Sequence, residues 1–440
     1  MELTRSILSR LEEWKSAPSR KPLLLRGARQ TGKTWVVNRF GQQSFAHILR
    51  IDFMKDSQAA SFFTGSLDPH AIIENLSLYT GIPVDPSDTL LVFDEIQECP
   101  QALTSLKYFC EDTPEYFLVA TGSYMGISLH EGSPFPVGKV TMMTLYPLTF
   151  QEFLQNSGQE ALAQRIEEGN YASINQAFIP RLTELLKTYY FVGGMPEAVS
   201  TYFDSKDFAA VRAVQNDILS TYDLDFSKHI EMRLLERTRL VWKSLPAQLA
   251  KENRRFVYGV VRHGARARDL EECIQWLIDY GIITKVPCLS TFRLPLSAYE
   301  SGSAFKIFAS DVGLLSAQAE LSESVLVDGS RIFTEFKGAL TEQYVCQQLL
   351  ADGYVPYYWA NPKGNAEIDF VIESGSQVLP IEVKAETNVH AKSLRYVFDH
   401  FQLATTVRMS LAGFRKDDWV HNIPLWGAGG LKNYFADNLG

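Results

Sequence analysis

One eight-residue string constrains this chain more than anything else in its 440 residues. Gly27-Ala28-Arg29-Gln30-Thr31-Gly32-Lys33-Thr34 fits the pattern G-x-x-x-x-G-K-[ST], and it stands between the apolar runs Leu23-Leu24-Leu25 and Trp35-Val36-Val37. That order is a strand, a glycine loop and a helix start, the context in which the pattern cradles phosphates. Glycines let backbone N–H groups turn inward, and a helix N-terminus adds partial positive charge. The oxygens of a triphosphate are then held with few side chains. On this reading residues Gly27, Ala28, Arg29, Gln30, Thr31, Gly32, Lys33 and Thr34 bind ATP. Lys33 reaches the β and γ phosphates, and Thr34 offers its hydroxyl to Mg²⁺.

A loop of this kind needs a parallel sheet around it, and the pieces follow in order. Pro22 to Arg26, Ala46 to Phe53, Thr89 to Phe93, Tyr116 to Ala120 and Lys139 to Leu145 read as strands, with helical patterns between the first four. Strands alternating with helices predict an α/β fold whose sheet is covered on both faces. Before them, Leu3, Ile7, Leu8, Leu11 and Trp14 have helical spacing up to Pro18. The third strand runs Leu90-Leu91-Val92-Phe93-Asp94-Glu95 and delivers two carboxylates at its C-terminal end, where α/β sheets bind ligands. Asp94 suits Mg²⁺, directly or through water, and Glu95 suits polarising an attacking water. The fourth strand leads into Thr121-Gly122-Ser123. Ser123 either senses the γ-phosphate or orients the water, or the string is an ordinary turn.

The rest of the chain is bounded by composition. At 440 residues it is too long for one core, and domains of roughly 100–200 residues suggest about three units. A content of 46% hydrophobic and 21% charged residues excludes wholesale disorder. No apolar run approaches the roughly 20 residues that span a bilayer, and Met1-Glu2-Leu3-Thr4-Arg5 has no signal-peptide core, so a soluble cytoplasmic protein is expected. The five cysteines form no C-x-x-C pair and the eight histidines no H-x-x-x-H pair, which argues against zinc or a disulfide framework. Fifty-one acidic against 42 basic residues leave a net charge of -9, so any nucleic-acid contact must be local. A basic run, Lys251, Arg254, Arg255, Arg262, Arg266 and Arg268, falls beside helices and two β-like runs, Ile282 to Pro287 and Phe305 to Ala309. This is the outline of a winged helix-turn-helix, in which Arg262, Arg266 and Arg268 would grip DNA phosphates. Such modules also serve as protein-interaction or purely structural units.

Several strings taken together resemble the prokaryotic AAA-type ATPases that carry a C-terminal nuclease-like extension. They are the glycine loop, Asp94-Glu95-Ile96-Gln97, Thr121-Gly122-Ser123, Pro147-Leu148-Thr149-Phe150 and Gly193-Gly194-Met195-Pro196-Glu197. The resemblance implies an additional-strand, catalytic-glutamate core, a helical lid and, by analogy, assembly with further copies of the chain or with a protein partner. In related signalling ATPases a lid Gly-x-Pro packs on adenine, which would cast Met195 and Pro196 in that role; a simple helix-start turn is the competing reading. Many relatives carry Gly-Arg where this chain has Gly138-Lys139, and a lysine cannot reproduce the planar fork of an arginine finger. Arg29 is another candidate for that part. Asp311, in Ala309-Ser310-Asp311-Val312-Gly313-Leu314, matches a family string and is expected to cap a helix.

Near the C-terminus, Asn365-Ala366-Glu367-Ile368-Asp369-Phe370 followed by Glu382-Val383-Lys384 resembles the PD-(D/E)XK nuclease signature. A four-residue hairpin loop at Ser374 to Gln377 would pair Glu373 with Val378 and set Asp369 opposite Glu382, with Lys384 on the same face. The resemblance implies that Asp369 and Glu382 hold Mg²⁺, that Lys384 activates water, and that Glu342 supplies the additional acid. Pro380 must then sit at an edge or bulge. Alternating charge on a half-exposed hairpin is the plainer reading. The expected organisation is a P-loop ATPase core over 1–150, a helical lid over 151–239, a winged helix over 240–330 and an α/β nuclease-like domain over 331–440. Two functions fit it: an ATPase coupled to a DNA-binding, Mg²⁺-dependent nuclease, or an ATP-dependent regulatory switch whose C-terminal domain is a scaffold.

Overall fold

The apolar runs around the glycine loop become strands of one sheet in a computed structural model that describes residues 2–123, 135–251, 255–322, 331–362, 364, 366–387 and 391–439. The chain divides into two units. One comprises Arg5–Tyr146 with Asp279–Gly281, and the other Pro147–Ile278 and Ile282–Gly440 with the first four residues. Arg254 of the basic run and Asn365 lie outside the described residues.

In the first unit, β1 (Leu23–Arg26), β2 (His47–Asp52), β3 (Thr89–Asp94), β4 (Phe117–Gly122) and β5 (Thr141–Thr144) lie in the order β2-β3-β4-β1-β5. Every pair in it is parallel. Side chains alternate across a strand, so each apolar run feeds two cores. Leu24, Leu91, Phe93, Leu118 and Ala120 pack on one face. Leu23, Leu25, Leu90, Val92 and Val119 pack on the other. That second face is covered by the helix Lys33–Ser44 through Val36, Val37 and Phe40, and by the leading helix Ile7–Ser16 through Ile7, Leu11 and Trp14. The loop strand β1 and the acid strand β3 are not neighbours: β4 lies between them, which is the additional-strand arrangement.

The second unit starts with helices, from Phe150–Asn156 to Leu245–Leu249, and continues into a second sheet. Its strands are β6 (Ile283–Leu289), β7 (Glu300–Ala309), β8 (Tyr357–Ala360), β9 (Glu367–Ser374), β10 (Gln377–Val383), β11 (Thr406–Ser410), β12 (Arg415–Lys416) and β13 (Val420–Pro424). They form one eight-stranded sheet in the order β12-β13-β11-β10-β9-β8-β6-β7. Strands from either side of the expected boundary between residues 330 and 331 thus pair in one sheet. The hairpin β6–β7, expected as a wing, hands its β6 edge to β8 through Cys288↔Tyr358 and Leu289↔Trp359. Its side chains Leu289, Phe292 and Leu296 share a core with Trp359, Ile368, Val371, Leu394 and Val397.

The helix Arg331–Ala351 stitches this unit together with glutamines, which the sequence reading passed over. Gln343 accepts from the Ala309 N–H at 2.8 Å and donates to its carbonyl at 2.7 Å. Gln347 accepts from Val312 N–H at 2.9 Å, and Gln348 from Phe150 N–H at 3.0 Å. Among the described residues no helix is long and apolar enough to cross a membrane.

Candidate functional site

The glycine loop leaves β1 at Gly27, where a Cβ would collide with the Leu145 carbonyl oxygen, so only glycine lets the turn begin. Gln30 and Gly32 both take positive φ, 63° and 90°, and the helix Lys33–Ser44 then starts with no side-chain cap. An uncapped helix start directs its first N–H groups at whatever anion occupies the turn. Thr31 is fully buried and donates to the Ala28 carbonyl at 2.9 Å. Arg5, 5% exposed, braces the loop from below: its guanidinium donates to the Thr31 carbonyl at 3.1 Å and to the Tyr146 carbonyl at 2.7 Å. Sequence reasoning missed Arg5, because a single basic residue ahead of a helix carries no local signal of burial.

Lys33 is buried and folds back on the loop, donating to the Ala28 carbonyl at 2.8 Å and the Gly27 carbonyl at 3.0 Å. Burial pushes its pKa down to about 8, against the opposing pull of Glu95 and Asp94. Asp94, 2% exposed, is the meeting point of three other chain segments. Thr34 Oγ1 donates to its Oδ2 at 3.0 Å, Thr121 Oγ1 donates to Oδ1, and the Arg50 guanidinium from β2 sits 2.5 Å from Oδ2. Glu95 adopts left-handed backbone angles, φ 52° and ψ 48°, which turn its side chain away from the strand direction. There Gln97 donates to Glu95 Oε2 at 2.6 Å, which gives the Asp-Glu-Ile-Gln string a physical meaning. Ser123, 6% exposed, follows directly on β4. Thr34, Lys33, Asp94 and Glu95 are thus gathered at the C-terminal ends of the strands, with Arg50 and Thr121 as partners that sequence reading did not single out. Lys139 pairs with Glu111 at 2.7 Å, which raises the lysine pKa through that hydrogen bond.

In the second unit the Gly193-Gly194-Met195-Pro196 string is a packed turn before the helix Pro196–Ser205, with Met195 at the cap and Pro196 in the first turn. Gly194 N–H donates to Asp311 Oδ2 at 2.6 Å, and its carbonyl accepts from Leu148 N–H at 2.7 Å. Asp311 also caps the helix Val312–Gln318 by accepting from Leu314 N–H at 3.0 Å. A Cβ at Gly193 or Gly194 would strike Asp311 or Leu148. Thr149 and Glu152 form a reciprocal capping box next to Leu148. Three of the strings that carry the family resemblance therefore converge in one structural knot.

The C-terminal constellation has the expected register, Glu373↔Val378 through Ile381↔Phe370. Ser374 and Gln377 also pair, so the loop is the two residues Gly375 and Ser376 rather than four. Pro380 causes no conflict, since the ladder to β11 begins one residue later, at Ile381. Asp369 Oδ2 accepts from Val383 N–H at 2.8 Å, and Lys384 Nζ sits 2.8 Å from Glu382 Oε1. Burial raises the Glu382 pKa, with Lys384 pulling the other way. The unexpected member is Lys306 of β7, whose side chain is fully buried. Its Nζ stands 2.6 Å from Glu367 Oε1, 3.6 Å from Glu342 Oε2 and 4.0 Å from Asp369 Oδ1. A lone lysine in the apolar run Phe305-Lys306-Ile307-Phe308 is the signal that was available, because a lysine is almost never buried without acids around it. Among the described residues no group of three His, Cys, Asp or Glu side chains is placed to hold a metal ion. Arg262, Arg266 and Arg268 are exposed, but the helix Ala267–Tyr280 turns Glu271 and Glu272 to solvent beside them.

Residues 183–325 match the model of a domain of unknown function (DUF8612), and residues 337–426 that of another (DUF4143). No curated protein matches the chain. Among solved structures, the Walker-type ATPase paby2304 of Pyrococcus abyssi is 16% identical with a TM-score of 0.44, covering 72% of this chain and 96% of that one. The Aeropyrum pernix ORC1 protein, solved in complex with DNA, is 13% identical with a TM-score of 0.29, covering 73% and 93%. Cdc6p from Pyrobaculum aerophilum is 14% identical with a TM-score of 0.25, covering 74% and 94%. Residues 19–154 match the model of an AAA domain, a span that takes in all of β1 to β5 together with Lys33, Thr34, Asp94 and Glu95.

Proposed function

We propose that the first unit binds ATP with Mg²⁺ and hydrolyses it. The observation that carries this reading is Thr34 Oγ1 lying 3.0 Å from Asp94 Oδ2. A hydroxyl just past the glycine loop and a buried carboxylate from a different strand meet at one point, as a shared metal ion requires. The donor set fits the group: two hard oxygens for Mg²⁺, and a glycine turn with an uncapped helix start for the phosphates. When bound, the metal neutralises charge on the β and γ oxygens. Lys33 leaves its loop carbonyls for the same oxygens, and Glu95, steadied by Gln97, takes the proton of the attacking water.

Removing the base while keeping the cradle separates binding from chemistry. Glu95→Gln is expected to retain a fluorescent ATP analogue while losing roughly 10²–10⁴-fold in turnover, and Lys33→Ala to lose binding. A Glu95→Gln chain that hydrolyses ATP like the wild type would overturn the assignment.

For the second unit we infer a regulatory role, in which nucleotide state is passed to a protein partner or a further copy of the chain. The exposed acid Glu271 supports this, since a polyanion approaching that helix would meet its negative charge, while Glu272 is paired with Arg233 at 3.1 Å. The competing reading, DNA held by Arg262, Arg266 and Arg268, gains the field if duplex DNA binds with a salt-dependent affinity that replacing those three arginines removes.

A further inference from the structure

We infer that the C-terminal acidic centre is closed by the ammonium of Lys306 rather than by a divalent cation, which makes the sheet around it a metal-free scaffold. This deepens the regulatory reading of the second unit but rests on local geometry alone. A phosphodiester-cutting centre of the kind that the PD-(D/E)XK resemblance implies needs carboxylates with charge to spare, converging where solvent and substrate can reach. Here part of that charge is answered within the chain, by two lysines against four carboxylates. Lys306 Nζ lies within 4.0 Å of Glu342, Glu367 and Asp369, and the face of Tyr358 stands 5.0 Å away. Asp369 has its second oxygen on the Val383 N–H, and Glu382 is bridged by Lys384.

The ammonium is anchored in β7, which enters the same sheet as β9 and β10 from the opposite flank. It is part of the chain, so it competes with a free ion as an intramolecular ligand does. Its side chain has 0% exposure, against the exposed path that an exchanging metal needs. An ammonium also cannot do what the metal would: it carries one charge, has no vacant coordination position, and does not bring a bound water to a pKa near neutrality. An incoming metal would meet the charge of Lys306, and a buried lysine that left its acids would be strongly disfavoured.

The test uses the full chain with Asp94→Asn, which silences the metal site of the first unit, and Mn²⁺ as the probe, followed by electron paramagnetic resonance. The expected result is no saturable Mn²⁺ site, with Asp369→Asn and Glu382→Gln added to that background changing nothing. A stoichiometric Mn²⁺ site that Asp369→Asn abolishes would overturn the inference, and so would Mg²⁺-dependent DNA cleavage lost in Lys384→Ala. A second arm measures Lys306→Met in the otherwise native chain. It is expected to lower the melting temperature by roughly 5–15 °C, the loss typical of breaking a buried charge cluster. A Lys306→Met chain as stable as the wild type sinks the idea from the other side. These outcomes do not touch ATP turnover, so failure here is distinguishable from failure of the ATPase reading.

Discussion

Lys33 shows how one side chain sets opposite pH dependences for fold and ligand. Burial holds its pKa near 8, below the ordinary lysine value of 10.5. Between those two values the unfolded chain binds more protons than the folded one, so the lysine's contribution to stability rises with pH across that window. Below about pH 8 both states are charged and the full penalty of burial is felt. Triphosphate binding runs the other way, because phosphate oxygens need the ammonium. Nucleotide affinity is therefore expected to fall as pH rises through about 8, with binding above that pH taking up a proton. Calorimetry in two buffers of different ionisation enthalpy measures that uptake, which is expected to vanish well below pH 8, where the lysine is already charged. The lysine itself was legible, since its spacing from two glycines is a local pattern. The residues that brace the loop and Asp94 were less so: Arg5 and Arg50 reach them only through tertiary contacts and stand in no string that points there, while Thr121 lies in a string read for Ser123.

Elements follow the same rule. The strands β1, β3 and β4 of the first unit run through apolar stretches that the sequence displayed, because a strand buried on both faces has no polar side to hide it. The loop lengths at Gly375 and Ser376 and the length of β7 were misjudged, as element ends depend on pairing rather than composition. Most instructive are the strings around Leu148, Gly194 and Asp311. They were legible as signatures, while their role as one knot needed the fold. Asp311 there serves three groups at once, the N–H of Gly194, the N–H of Leu314 and the amide of Gln347. Asp311→Ala removes a helix cap and strands buried donors, so a loss of about 2–4 kcal/mol is expected in urea unfolding. Asp311→Asn keeps an acceptor in place and is expected to lose clearly less. Equal losses would mean that the charge, not the hydrogen bonds, holds the knot.

At the scale of the molecule, the sequence suggested four segments in a row, and strands from the last two of them share one sheet. The pairing of Cys288 and Leu289 with Tyr358 and Trp359 joins residues far apart in the chain, and periodicity carries no information about which strand a strand will choose. The fragment 331–440 is accordingly expected to stay unfolded by circular dichroism, since it lacks β6, β7 and the charge of Lys306. The fragment 147–440, which keeps the whole sheet, is expected to fold. If 331–440 folds cooperatively by itself, the expected boundary was right and the shared sheet is incidental.

The seat of Lys306 between Glu367 and Glu342 also divides the chain in its dependence on supply. Its counter-ion is made at the ribosome and cannot be leached out. Dialysis against a chelator should therefore idle the nucleotide-burning end while leaving the C-terminal sheet folded and its surface presentable. A cell short of magnesium is expected to keep that sheet intact.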